Sequence, residues 1–243
     1  MKIDTYFTLP EVDGASLSES TVVVIDVVRA TTTIIEALAN GARAIFPTDS
    51  TEDAVRLASS LGREDSILCG ERKGEKIEGF DLGNSPAEFV REMVEDKKLV
   101  MSTTNGTRAL SVAQEGKRVL PCALTNLGAV AAEVASVEHM SIICAGREDS
   151  FSLDDALCAG HLIQRILDAR AEGDEEPEMN DASRAARALA QARKPTKRFL
   201  SLAAGGRAVI EIGLEEDLAI CADVDRHDIV VEMSDQQITR AGA

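Results

Sequence analysis

The chain has 243 residues, 44% hydrophobic but only 3% aromatic, with no Trp, one Tyr and a formal net charge of −16. That length allows one large domain or two small ones, with a core built from Val, Ile, Leu and Ala. The acidic balance and the lack of stacking platforms exclude a broad nucleic-acid surface. The five cysteines, Cys69, Cys122, Cys144, Cys158 and Cys221, form no Cys-x-x-Cys, which suits reduced, buried thiols. The N-terminus lacks the apolar core of a signal peptide, and no apolar run approaches a membrane span. A cytoplasmic protein is expected.

In chain order, the β-branched run over residues 21–26 reads as a buried strand. Residues 34–39 read as a helix stopped by Asn40-Gly41. A strand over 43–47 and a helix over 51–61 follow. A short strand at 66–69 enters a long loop, 70–84, rich in Gly and charge. Loops of that length in compact domains are commonly functional. Ser85-Pro86 with Glu88 has the pattern of a capping box that opens a helix. Strands are then expected at 98–102, 118–122 and 140–145, with helices at 109–115, 127–135 and from Ser152, as N-cap, to about 169. The stretch 171–181 reads as an exposed acidic connection, followed by a helical segment and a late strand at 228–232.

Strands that alternate with helices predict a three-layer α/β/α fold with a mostly parallel or mixed sheet. No linker is evident, so residues 1–243 are expected to form one unit. The recurring strand–polar loop–helix pattern allows an internal duplication. A large apolar sheet with few aromatics leaves room for homo-oligomerisation.

Ligands of open α/β sheets bind outside the carboxyl ends of the strands. Three such ends carry similar chemistry. They are Asp26-Val-Val-Arg-Ala-Thr-Thr-Thr33, Ser102-Thr-Thr-Asn-Gly-Thr-Arg108 and Gly146-Arg-Glu-Asp149. Each sets an Arg among hydroxyls, Gly or carboxylates at a helix start, where free N–H groups and the positive dipole end suit an anion. Arg adds bidentate, charge-assisted bonds to phosphate. Taken singly, each end reads equally as helix capping, a tight turn or a surface ion pair. Their joint occurrence points to a small anionic, phosphorylated ligand. No P-loop run and no Gly-x-Gly-x-x-Gly after a strand exists. His139, His161 and His227 are isolated, which argues against zinc. Asp26 ends a buried strand, where a charge is costly unless it has a partner. Glu71, Asp81, Glu148, Asp154 and Asp155 lie in polar loops or at a helix start. Such hard oxygen donors suit Mg²⁺.

Val24-Ile-Asp-Val-Val-Arg-Ala-Thr-Thr-Thr33, Gly70-Glu-Arg72, Ile77-Glu-Gly-Phe-Asp-Leu-Gly-Asn-Ser-Pro86 and Thr103-Thr-Asn-Gly-Thr-Arg108 together resemble the 2-phosphosulfolactate phosphatase family. Gly146-Arg-Glu148, Phe151-Ser-Leu-Asp-Asp-Ala-Leu-Cys-Ala-Gly160 and Gly213-Leu-Glu-Glu-Asp217 extend the resemblance. The family pattern favours Glu-Asp where this chain has Asp154-Asp155. The resemblance implies a Mg²⁺-dependent phosphatase that converts 2-phosphosulfolactate to sulfolactate and phosphate on the route to coenzyme M. On this basis Asp26 and Arg29 are the expected catalytic residues. Mg²⁺ is expected on Asp26 with one or more of Glu71, Asp81 and Asp155. Thr31, Thr32, Arg72, Thr104, Asn105, Gly106, Thr107, Arg108 and Arg147 are the expected substrate contacts. Arg29→Ala is then expected to remove activity without unfolding the chain. A phosphohydrolase for another 2-hydroxy acid phosphomonoester, or a non-catalytic anion-binding protein of this fold, remain the alternatives.

Overall fold

The computed structural model describes residues 1–170 and 175–242. Its strands are β1 (Lys2–Tyr6), β2 (Thr21–Ile25), β3 (Ala44–Pro47), β4 (Ser66–Arg72), β5 (Glu75–Lys76), β6 (Lys98–Ser102), β7 (Arg118–Cys122), β8 (His139–Cys144), β9 (Glu178–Met179), β10 (Val231–Ser234) and β11 (Gln237–Arg240). The helices are α1 (Ala30–Ala39), α2 (Thr51–Leu61), α3 (Arg91–Val94), α4 (Gly106–Ala113), α5 (Leu127–Val134), α6 (Leu153–Asp168), α7 (Asp181–Ala192), α8 (Lys197–Leu200), α9 (Ala204–Glu211) and α10 (Asp217–Cys221).

All strands lie in one mixed sheet of order β5-β4-β6-β3-β11-β10-β7-β2-β8-β1-β9. Two parallel blocks, β4-β6-β3 and β7-β2-β8-β1-β9, are bridged by the antiparallel hairpin β10–β11. The blocks differ in size and order, and no duplication follows from them. The hairpin turn, Asp235-Gln236, has positive φ at both residues, 47° and 61°. Two-residue turns of that hand match the twist of paired strands.

Side chains that alternate along β2 divide the core between two faces. Val22 and Val24 pack with Ile34, Ile35 and Leu38 of α1 and with Ala109 and Leu110 of α4. Val23 and Ile25 pack with Leu127 and Val130 of α5 and Leu162 of α6. Ala54 and Ala58 of α2 cover Leu68 and Val100 on the first block. The cluster around α1 and α4 takes residues from both blocks, including Leu99, Met101, Val119 and Ile143. The sheet therefore curls around these two helices. The end of β6 meets the end of β2, although four strands separate them in sheet order.

Several local expectations change. Ser85-Pro86 opens only a short 3-10 turn before α3. Ser85 Oγ donates to Asp217 and Glu88 accepts from the Gly83 N–H, so neither side chain caps a helix. Ser152 Oγ likewise donates to Asp154 and does not cap α6. The first four residues of the acidic stretch 171–181 lie outside the described residues. Its remainder includes β9, which pairs with the unexpected strand β1. The late strand sits at Val231–Ser234 and has β11 as its partner. No described helix is long and apolar enough to cross a membrane. All five cysteines are free and buried.

Candidate active site

The corner between β2 and α1 is built from its own threonines. Thr31 Oγ1 donates to the Asp26 carbonyl at 2.8 Å and accepts from the Asp26 N–H at 3.0 Å. Thr32 Oγ1 donates to the Val27 carbonyl and Thr33 Oγ1 to the Asn84 carbonyl. All three threonines are wholly buried. These hydroxyls satisfy backbone groups where the chain leaves the sheet. The Thr31 and Thr32 hydroxyls, expected to contact substrate, are instead engaged by the backbone and shape the corner. The Val28–Arg29 peptide is cis.

Asp26 is the carboxylate this corner presents. Its Oδ1 accepts from the Ala30 N–H at the start of α1, at 3.3 Å. Its Oδ2 lies beside Gly106 at the start of α4. A Cβ on Gly106 would stand 2.8 Å from that oxygen and 2.4 Å from the Ala30 Cβ. Glycine here lets two helix starts meet over one carboxylate. We expect Gly106→Ala to displace Asp26, lower kcat/KM about 10²-fold and cost about 1–3 kcal/mol of stability. Steady-state kinetics and thermal melts of the variant check both numbers.

Asp26 shares a small cavity of about 40 Å³ with Arg29, Glu71, Asn84, Asn105 and Arg147. Glu71 Oε1 accepts from Thr104 N at 2.7 Å and Oε2 from Gly74 N at 2.6 Å. It thereby joins the β4 loop to the β6 loop. Asn105 Oδ1 accepts from Glu148 N at 3.2 Å and brings in the β8 loop. Asp155, on α6, receives Val27 N at 2.9 Å and Gly146 N at 3.1 Å. Both its oxygens are thus engaged by backbone amides that tie the β2 and β8 ends together, behind the cavity.

The arginines divide. Arg29 and Arg147 line the cavity. The Arg147 guanidinium is half-buried and has no ion-pair partner among the described residues. Arg29 is 4% exposed, with Nη1 on Asp217 at 2.8 Å and Nη2 on the Gly74 carbonyl at 2.7 Å. Asp217 also accepts from Ser85 Oγ at 2.6 Å. Arg29 is therefore a buried structural pair as well as a cavity wall, and its removal is not expected to leave the fold intact. Arg72 reaches Ser102 Oγ and the Glu71 carbonyl, and Arg108 pairs with Asp149 at the surface; neither lines the cavity. Asp81 also stands apart, held by Arg63 and by the Leu68 N–H. Thr107 Oγ1 donates to the Thr103 carbonyl, and Thr107 opens on a different cavity of about 630 Å³. That larger cavity has no share of Asp26, Arg29 or Glu71, so its size does not make it the site.

The electrostatics single out Asp26. Burial pushes its carboxyl up to about 7, the charges of Asp154 and Glu71 add to this, and the Ala30 N–H and Arg29 oppose it. Burial likewise raises Asp154 and Asp155, the latter also through Asp154 and Asp26. Carboxylates crowded at one point favour a cation between them. Among the described residues, no group of three or more His, Cys, Asp or Glu is arranged to hold a metal. Asp26 and Glu71 still fit Mg²⁺, which is commonly held by one or two carboxylates plus substrate phosphate and water. The fit is to a cation completed by its substrate, not to a protein cage.

The family model described as 2-phosphosulpholactate phosphatase matches residues 6–236. A relative from Clostridium beijerinckii, named "Probable 2-phosphosulfolactate phosphatase", is 38% identical over 240 residues, covering 98% of this chain and 99% of its own. A protein of the same name from Clostridium novyi is 36% identical over 241 residues, 99% of this chain and 100% of its own. Another, from Pseudothermotoga lettingae, is 36% identical over 222 residues, 90% and 92% of the two chains. The chain belongs to the 2-phosphosulfolactate phosphatase family. Members of the 2-phosphosulfolactate phosphatase family are phosphoric monoester hydrolases, and this chain is counted among them. Two residues of its site had no expected role. Asp217 stands in the Gly213–Asp217 block, 188 positions from Arg29 in the chain, and nothing local reveals that pairing. Asn84 stands in the Ile77–Pro86 block of the resemblance, at the end of the long polar loop.

Proposed function

We propose that this protein hydrolyses 2-phosphosulfolactate to sulfolactate and phosphate with the help of Mg²⁺, the reaction that serves coenzyme M formation. The observation that carries the reading is the meeting of Asp26, Glu71 and Arg147 in one cavity at the starts of α1 and α4. Phosphoryl transfer asks a protein mainly for positioning and charge neutralisation. Arg147, whose guanidinium has no ion-pair partner among the described residues, supplies a cation for the phosphoryl oxygens. The start of α4, where Asn105 makes no capping bond and only the Thr107 N–H is taken up, by Thr103 Oγ1, supplies a positive dipole end. Asp26 and Glu71 would hold Mg²⁺, which neutralises phosphate charge and orients the ester when bound. Arg29 fixes the cavity wall through Asp217 and Gly74. Asp155 keeps the β2 and β8 loops in register. Water is the attacking group in this scheme, and Asp26 remains unphosphorylated.

The test is phosphate release from a panel of 2-phospho-hydroxy acids, with Mg²⁺ and with EDTA. Release from 2-phosphosulfolactate that EDTA stops is the expected result. No release from any ester would end the hydrolase reading, and release that ignores EDTA would end the Mg²⁺ assignment. A phospho-aspartyl adduct caught by rapid quench would move Asp26 from ligand to nucleophile.

A further inference from the structure

A second cavity of about 320 Å³ adjoins the small one, and Gly74 and Asn84 line both. Asn84 is held hard at that junction. Its carbonyl accepts from Thr33 Oγ1 at 3.0 Å, and the next residue, Ser85, is bonded to Asp217 of the buried Arg29 pair. The residue is 5% exposed. Its side chain is nevertheless unused. Oδ1 is buried without a hydrogen-bond partner, and Nδ2 donates to no group among the described residues. Buried carboxamides are almost always bonded, so an idle one at a cavity junction points to a ligand. The two ends of a carboxamide exchange by a half-turn, so it can offer donors or an acceptor there.

The adjoining groove carries Lys76 as its one cation among the lining residues. Glu75 and Glu88 line it too, the Glu88 carboxylate being engaged by the Gly83 N–H, and Ile212 and Leu214 close it. Lys76 can meet one compact anionic group, and the two acids beside it oppose a polyanionic tail. Gly74, which has a φ of 88°, brings bare backbone to the junction.

We infer that Asn84 is the specificity residue of the site: it donates to a second acidic group of the phosphoester, which extends from the small cavity into the groove toward Lys76. The inference rests on the hydrolase reading above and deepens it. It defines the substrate class as short phosphomonoesters that carry a further strong acid within a few atoms of the ester. Esters that lack that acid should bind through the phosphoryl end alone.

The experiment compares 2-phosphosulfolactate with 2-phospholactate, which lacks the sulfonate, by calorimetric binding and by phosphate release. The wild type, Asn84→Ala and Lys76→Ala are measured with Mg²⁺. Asn84→Ala should cut the preference for the sulfonated ester over 2-phospholactate at least tenfold, mainly through the KM and Kd of the sulfonated ester. That factor follows from a polar site that loses discrimination with its donor. Lys76 is exposed, so Lys76→Ala will fold, and it should cut the same preference by a smaller factor. Variants that keep the wild-type preference, or lose both esters equally, would overturn the assignment. Binding without phosphate release would overturn the hydrolysis and still decide Asn84 through the binding ratios. A wild type that binds neither ester would overturn both.

Discussion

Asp26→Asn is expected to lower phosphate release by about 10³-fold or more and, at pH 8, to raise the melting temperature. The two effects share one cause. The native site holds the Asp26 carboxyl at about 7, against 3.8 for an ordinary aspartate, chiefly because the group is buried. Between those values the native state binds the extra proton. The stabilisation is thus complete below pH 4 and is lost as pH rises through about 7. Asn carries no charge at any pH, so the stability gain should be present at pH 8 and absent near pH 4. Each kcal/mol recovered corresponds to about 2–4 °C for a chain of this size. Mg²⁺ should narrow the gap by stabilising the wild type more than the variant, because a bound cation reverses the local charge crowding. Scanning calorimetry at the two pH values, with and without Mg²⁺, gives all the comparisons. An Asn variant that melts below the wild type at pH 8 would remove Asp26 from the position of strained carboxylate.

Arg29→Ala and Asp217→Ala should each destabilise the fold by about 3–5 kcal/mol, a fall of roughly 10 °C in melting temperature. Arg29 and Asp217 are each only 3% exposed at the side chain, so either one alone would be a buried, uncompensated charge. The paired change Arg29→Met with Asp217→Leu should recover much of that loss, since apolar groups of similar volume replace buried ion pairs at little cost. Activity should not return with stability, because the Arg29 bond to the Gly74 carbonyl goes too. A double-mutant cycle of melts and kinetics measures both quantities. Single variants that melt like the wild type would make Arg29 a pure active-site group, the role the sequence alone predicts.

Strand and helix alternation between residues 21 and 169 is readable because its periodicities are local. Strand β1 is not: Lys2, Asp4 and Thr5 make it look polar, yet Asp4 pairs with His139 and Thr5 Oγ1 bonds Ser183 Oγ. The strand is stabilised by partners more than a hundred residues away. The same limit governs the site. Asp26, Glu71, Asn105 and Arg147 are visible as chemistry at strand ends. Whether an arginine turns inward or outward depends on neighbours such as Ser102 for Arg72 and Asp149 for Arg108. Asp81 has the right chemistry, but Arg63 captures it. The threonines of the first corner look like ligands because a hydroxyl that serves the backbone and one that serves a substrate are spelled alike.

The hairpin β10–β11 gives the cavity a late birth. Asp26 and Arg147 follow strands of one parallel block, Glu71 lies at the end of β4 and Asn105 after β6 in the other, and the hairpin is the seam between them. A nascent chain synthesised from its N-terminus has both blocks outside the ribosome before residues 231–240 emerge. Until that seam closes, β3 and β7 are open edges, and the two halves of the cavity lack the backbone ladder that joins their strands into one sheet. Catalytic competence should therefore appear only after residues 231–240 have emerged and paired with β3 and β7.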